Sequence, residues 1–194
     1  MAAQVAPRAA LVRQIVRRQM VGIRHGEAGH NELAPVYGNQ VYEQFADTTL
    51  TVRGMHQART AIVPEVDMVL VSPLTRALQT AQLMYPRTKT VALECLKELP
   101  QHTQICNRRS SRLVLEALFP AVDFTDLRDA EQPWPNAQPA AMYRRHFNDY
   151  LDTVPGHRIA VVAHSTWLKL YMTGNAAAEP ELRHCFPYKM TNID

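Results

Sequence analysis

The chain has 194 residues, 46% of them hydrophobic and 20% charged, which supports one domain with a buried core and leaves little length for a second. A net charge of +3 is a mild basic excess without the Lys/Arg block of a nucleic-acid arm, so a small acidic partner is expected and nucleic acid is not. No run approaches the roughly 20 apolar residues of a spanning helix, and Cys95, Cys106 and Cys185 have neither CxxC nor zinc spacing, so a soluble protein of a reducing compartment is expected, with no membrane partner.

Residues 1–18 read as a basic lead-in: Arg8, Arg13, Arg17 and Arg18 precede any acidic residue, the first being Glu27. That charge matches a mitochondrial presequence, while the lack of Ser and Thr argues against one, so the cytoplasm is the expected location and the mitochondrion the alternative. Residues 19–194 are expected to form a single domain. The short apolar run 19–23 stops at Arg24-His25-Gly26-Glu27, the pattern of a buried strand emptying into a loop. Thr51 then opens a helix to about residue 62. The run 66–71 predicts a strand, residues 74–85 a helix, 90–96 a third strand and 110–119 a further helix. Pro133, Pro135 and Pro139 predict a loop over 129–139, followed by a helix over 140–154. The apolar run 158–163 predicts a strand ending at His164-Ser165, with helical spacing over 166–172. Strands alternating with helices imply an α/β class: a three-layer α/β/α domain with a mostly parallel central sheet.

Parallel strands place their carboxyl ends on one edge, so Arg24-His25, Ser72 with Arg76 one helical turn on, and His164-Ser165 are expected to converge. Arginine forks match phosphate oxygens, and helix N-termini after Ser72 and His164 are expected to offer free N–H groups to an anion. An imidazole among these cations can attack phosphorus if a neighbour fixes its tautomer, and a carboxylic acid must protonate the departing alkoxide. Glu94 and Glu98 are both candidates for that acid.

Arg24-His25-Gly26-Glu27 with Asn31 resembles the RHGExxxN motif of the histidine phosphatase superfamily. Leu50-Thr51 with Gly54 and Gln57-Ala58 is similar to its LTxxGxxQA helix, the segment Ser72 to Ala81 to its SPLxRAxQTA stretch, and Val161 to Ser165 to its second-histidine strand. Four segments in the family's order, from about Met20 to Asn192, carry the resemblance. It implies a phosphoglycerate mutase-like fold and a cofactor-independent, metal-independent phosphomonoesterase. It makes His25 the phosphohistidine nucleophile, with Arg24, Asn31, Arg76, His164 and Ser165 at the phosphoryl group, and His164 also stabilising developing charge. Leu96-Lys97-Glu98-Leu99 and Cys106-Asn107-Arg108-Arg109 resemble the phosphoglycerate-mutase-like branch, which makes Glu98 the acid ahead of Glu94. Many family members have Gly where this chain has Ser165, whose side chain narrows the pocket while its N–H remains.

Taken alone, His164 at a strand end reads as a core histidine, and RHGE as a chance tetrapeptide. His30 falls at a variable position, where it reads as a substrate contact or, at least equally, as an exposed and unpaired histidine, and is left outside the expected core site. Arg108, Arg109 and Arg112 are candidates for binding a substrate's remote anionic groups or, equally, a solvated face. Ala163-His164-Ser165-Thr166-Trp167 lacks the glycines of a nucleophile elbow, and His25 and His30 lack HExxH spacing, so no metal site is expected. A phosphoglycerate-type mutase and a catalytically silent phosphate-binding regulator are the alternatives to the phosphatase. The substrate's alcohol and the oligomeric state stay open.

Overall fold

A computed structural model describes residues 18–100, 104–128, 140–154 and 158–191. Strands β1 (Gln19–Arg24), β2 (Met68–Val71), β3 (Thr90–Ala92), β4 (Val122–Asp123), β5 (Arg158–Ala163) and β6 (Pro187–Met190) make one sheet ordered β4-β3-β2-β5-β1-β6. All pairings are parallel except that of β6 with β1. The helices are α1 (Gly29–Tyr37), α2 (Val41–Gln44), α3 (Val52–Thr60), α4 (Thr75–Met84), α5 (Arg112–Leu118), α6 (Ala140–Leu151) and α7 (Ser165–Thr173).

The continuous apolar runs are buried on both faces, as a covered parallel sheet requires. Because strand side chains alternate, Leu70, Ile159 and Val161 join Phe147, Trp167, Leu168 and Tyr171 in one core, under α6 and α7. Val69, Val71, Ala160 and Val162 join Leu78, Ala81, Leu115 and Phe119 in the other, under α4 and α5. Two apolar layers around one sheet give the α/β/α architecture that alternating strands and helices imply.

Three local expectations change. The third strand ends at Ala92, because after Leu93 N–H donates to Val71 O the chain tightens into a single 3-10 turn over Glu94–Leu96. Residues 32–49, for which the sequence pattern predicts no regular element, contain most of α1 and all of α2. The capping signal was weak there, since Ala28 supplies no side-chain cap and Asn31 Oδ1 instead accepts Ala28 N–H at 3.0 Å. The strands β4 and β6 were not anticipated; both lie at sheet edges, where short pairings leave little apolar pattern to read. The lead-in 1–17 and the proline-rich stretch 129–139 lie outside the described residues.

Candidate active site

The register of the sheet builds the site. Arg24 pairs with Ala163 and Val71 with Val162, so β1, β5 and β2 end level with one another. His25 N–H donates to Ala163 O and Ser72 N–H to Val162 O, each at 3.0 Å, carrying the ladder one residue past the strands. His25, Ser72 and His164 therefore emerge together at the carboxyl edge of the sheet.

The loop after β1 is fastened by the motif helices. Gly26 N–H donates to Thr80 Oγ1 at 3.0 Å, Glu27 N–H to Gln57 Oε1 at 2.9 Å and Leu50 N–H to Gln79 Oε1 at 2.8 Å. Thr51 caps α3 by accepting Gly54 N–H and also donates to Glu27 Oε1 at 2.9 Å. The polar residues of the second and third motifs thus hold backbone. Gly54 lets α3 approach this loop: a Cβ there would sit 2.0 Å from Glu27 O. Gly54→Ala is expected to force loop and helix apart, at a cost of roughly 1–3 kcal/mol and a Tm fall of about 2–4 °C per kcal/mol. Gly29→Ala, whose Cβ would meet nothing within 4 Å, is the calorimetric control expected to stay near the wild type.

His25 is 3% exposed. Its Nδ1 lies 2.7 Å from Gly26 O, an acceptor only, so the ring proton sits on Nδ1. Nε2 consequently keeps its lone pair and accepts from Arg76 Nε at 3.3 Å. Arg76 is buried and donates its other nitrogens to Cys106 O at 2.8 Å and Asn107 Oδ1 at 3.0 Å. The His164 ring stands 5.0 Å from that of His25, with Nε2 2.8 Å from Ser72 Oγ. His164 is fully buried behind His25, whereas Arg24, His25, Asn31, Arg76, Glu98 and Ser165 line a cleft of about 460 Å³. Arg24 Nη1 binds Leu182 O at 2.7 Å and Glu181 Oε1 at 2.9 Å. Arg24 Nε and His164 Nδ1 are buried without a hydrogen-bond partner.

The two acid candidates separate. Glu94 Oε2 accepts from Arg109 Nε at 2.8 Å and Oε1 lies 3.3 Å from Lys97 Nζ, so this carboxylate is committed to structural ion pairs. Glu98 lines the cleft and accepts N–H groups of Leu99, Thr166 and Trp167 at 2.8, 3.3 and 3.2 Å. Burial pushes its pKa up even against those bonds and the nearby Arg76 charge. The expected free helix N-termini are a correction. Glu98 takes two first-turn N–H groups of α7, while Asp47 takes Thr75 N–H of α4 at 2.7 Å and Ser72 Oγ takes Leu74 N–H at 3.3 Å. Helix termini favour negative charge, and here protein carboxylates supply most of it.

Several site residues were missed. His30 is 4% exposed, with Nδ1 2.6 Å from Thr48 Oγ1 and its ring 6.1 Å from that of His25, and it lines the cleft rather than facing solvent unpaired. His184 Nδ1 donates to His25 O at 2.6 Å. Asn107 and Glu181 also line the cleft. His30 carried a sequence signal in its closeness to RHGE, and Asn107 in the Cys106-Asn107-Arg108-Arg109 stretch; His184 and Glu181 carried none. The Arg108 cluster falls elsewhere: Arg109 holds Glu94, Arg112 binds Glu116 Oε1 at 2.7 Å, and Arg108 is exposed away from the cleft lining.

Burial first, and the Arg76 charge second, depress His25, His30 and His164, with His30 pushed down to about 3 from an ordinary 6.5. Their folded pKa values lie below the unfolded ones, so this stability is complete above pH 6.5 and drains away as pH falls below it, for His30 down to about 3, by at most about 1.4 kcal/mol per unit per group. Urea midpoints are expected to drop steadily from pH 7 to 5. His30→Asn, which keeps a polar atom near Thr48, is expected to flatten that slope, and an unchanged slope would refute the neutral state of His30.

The architecture is a mostly parallel α/β/α sheet with a histidine and arginine cleft at its carboxyl edge. The chain belongs to the histidine phosphatase superfamily (branch 1), whose family model matches residues 21–193. Comparison with curated proteins finds no match. Among solved structures, the chain is similar to an Escherichia coli protein named for α-ribazole-5′-phosphate phosphatase activity, at 21% identity and TM-score 0.55 over 91% of this chain and 97% of that one. It is also similar to an ecdysone phosphate phosphatase from Bombix mori, at 18% identity and TM-score 0.56 over 88% of each chain. A phosphoserine phosphatase mutant from Entamoeba histolytica matches at 23% identity and TM-score 0.51, over 78% of this chain and 76% of that one. At these identities the likeness is one of fold. No helix among the described residues is long and apolar enough to cross a membrane.

Proposed function

We propose that this chain hydrolyses phosphate monoesters through a phosphohistidine on His25. The observation that carries the reading is the fixed tautomer of His25: Nδ1–H is tied to Gly26 O, leaving the Nε2 lone pair in a cationic cleft with Arg76. The lowered pKa favours the neutral, nucleophilic imidazole at neutral pH.

In the first step Nε2 bonds to phosphorus while the bond from phosphorus to the ester oxygen breaks, and Glu98, whose protonated form burial favours, delivers its proton to the departing alkoxide. Arg24 Nε and the Asn31 amide NH2, whose carbonyl partner is engaged at Ala28, are donors for the phosphoryl oxygens. Ser72 Oγ, already accepting Leu74 N–H, donates to His164 Nε2, which leaves a proton on His164 Nδ1 to stabilise developing charge from beneath. The Ser165 N–H serves as a further phosphoryl donor. In the second step water attacks phosphorus, its proton passes to the Glu98 carboxylate, the bond from Nε2 to phosphorus breaks and inorganic phosphate leaves. Neither step requires a metal ion or cofactor. Rapid quenching into base during turnover, followed by peptide mass spectrometry, is expected to find one phosphoryl group on His25. Phosphate release with no phosphoryl-enzyme at any quench time would overturn the covalent route.

A further inference from the structure

The phosphoryl end of the cleft uses Arg24, His25 and Arg76, so the remaining wall meets the substrate's alcohol. That wall includes Asn39, Tyr42, Glu43, Gln104, Thr166 and Glu181. Among the described cleft-lining residues Arg24 and Arg76 are the only Arg or Lys side chains, and Arg76 directs three of its five N–H groups to His25, Cys106 and Asn107, which fixes it at the phosphoryl end. Glu43 and Glu181 bring negative charge instead. Glu181 is fixed in place, with Oε1 2.9 Å from Arg24 Nη1 and Oε2 3.0 Å from Lys169 Nζ. Burial alone would raise its pKa, yet hydrogen bonds and the charges of Arg24 and Lys169 turn the shift downward, so it stays ionised. The arginines that sequence offered for remote anions lie off the cleft lining.

We propose that, given the hydrolase reading above, the substrate is a monoester whose alcohol carries hydrogen-bond donors, hydroxyl or ammonium, and no second anionic group, with Glu181 as the selectivity residue. A second carboxylate or phosphate on the alcohol would face Glu43 and Glu181 with no uncommitted guanidinium on this wall. A hydroxyl or ammonium finds acceptors in the same carboxylates and in the side-chain carbonyls of Asn39 and Gln104. Phosphoglycerate-type substrates are therefore disfavoured by charge, which weighs against the mutase alternative as well.

The test compares phosphoethanolamine, glycerol 3-phosphate and 3-phosphoglycerate, by calorimetric binding and by kcat/KM, in the wild type and in Glu181→Gln. The first two are expected to exceed the third by about tenfold or more, the size of a like-charge penalty at a partly solvated site. Glu181→Gln is expected to narrow the gap several-fold, mainly through KM for 3-phosphoglycerate; Glu181 is half exposed, so the variant should fold. Equal or better binding of 3-phosphoglycerate by the wild type, an unchanged ratio in the variant, or binding of none of the three overturns the proposal. The expected binding order without turnover would uphold the selectivity and count against the hydrolase reading alone.

Discussion

His25→Ala is expected to lower kcat/KM for every phosphomonoester by at least about 10³-fold, because the variant has no atom that can carry the phosphoryl group. That corresponds to about 4 kcal/mol of lost transition-state stabilisation, at 1.36 kcal/mol per tenfold. The fold should survive. The substitution removes the bond to Gly26 O and one of the three partners of Arg76, but it also removes a buried imidazole whose lowered pKa costs stability below pH 6.5. Denaturation midpoints for variant and wild type should therefore converge on acidification, while the rate deficit persists. Phosphate release undiminished in a folded variant would sink the nucleophile assignment and, with it, the mechanism.

Glu98→Gln is expected to cost roughly 10²–10⁴-fold on alkyl phosphates, the usual contribution of a positioned general acid. The loss should be much smaller on nitrophenyl phosphate, whose leaving group departs without a proton. In the wild type, activity should fall as pH rises through the raised Glu98 pKa, since the acid must be protonated; the variant should lack that limb. The amide introduced by Glu98→Gln would turn an NH2 toward a backbone N–H of Thr166, Trp167 or Leu99, so a stability loss of about 1–3 kcal/mol is expected alongside. Glu94→Gln provides the contrast. By releasing Arg109 and Lys97 it should lower the unfolding midpoint with no dependence on the leaving group. A loss in Glu98→Gln that is equal for both substrate types would remove Glu98 from the proton-transfer role.

Much of this protein was legible as sequence because local chemistry dictates it. The runs 66–71 and 158–163 are apolar on both faces, which only a covered parallel strand tolerates, and each ends at a polar residue where the cover stops. The motifs place His25, Ser72 and His164 at strand ends, with Arg76 one helical turn after Ser72, and the level register of β1, β5 and β2 brings them together. What sequence spacing could not convey was how partners are shared between distant segments. Whether Glu94 or Glu98 faces the cleft depends on Arg109 reaching back 15 residues to hold one and α7 arriving 68 residues later to hold the other. Whether a helix terminus is open to an anion depends on Asp47, a loop residue with no motif of its own. His30 enters the site from the first turn of α1, and Glu181 and His184 from the segment before β6, whose geometry is set by packing rather than by periodicity. The sequence alone therefore determined the family, the layered sheet and the convergence of His25, Arg76 and His164 at one sheet edge, since these follow from hydrophobic period, residue type and motif. Only the tertiary structure decided which carboxylate is available, which cations are already paired and what charge faces the alcohol, because each is a contest among groups far apart along the chain.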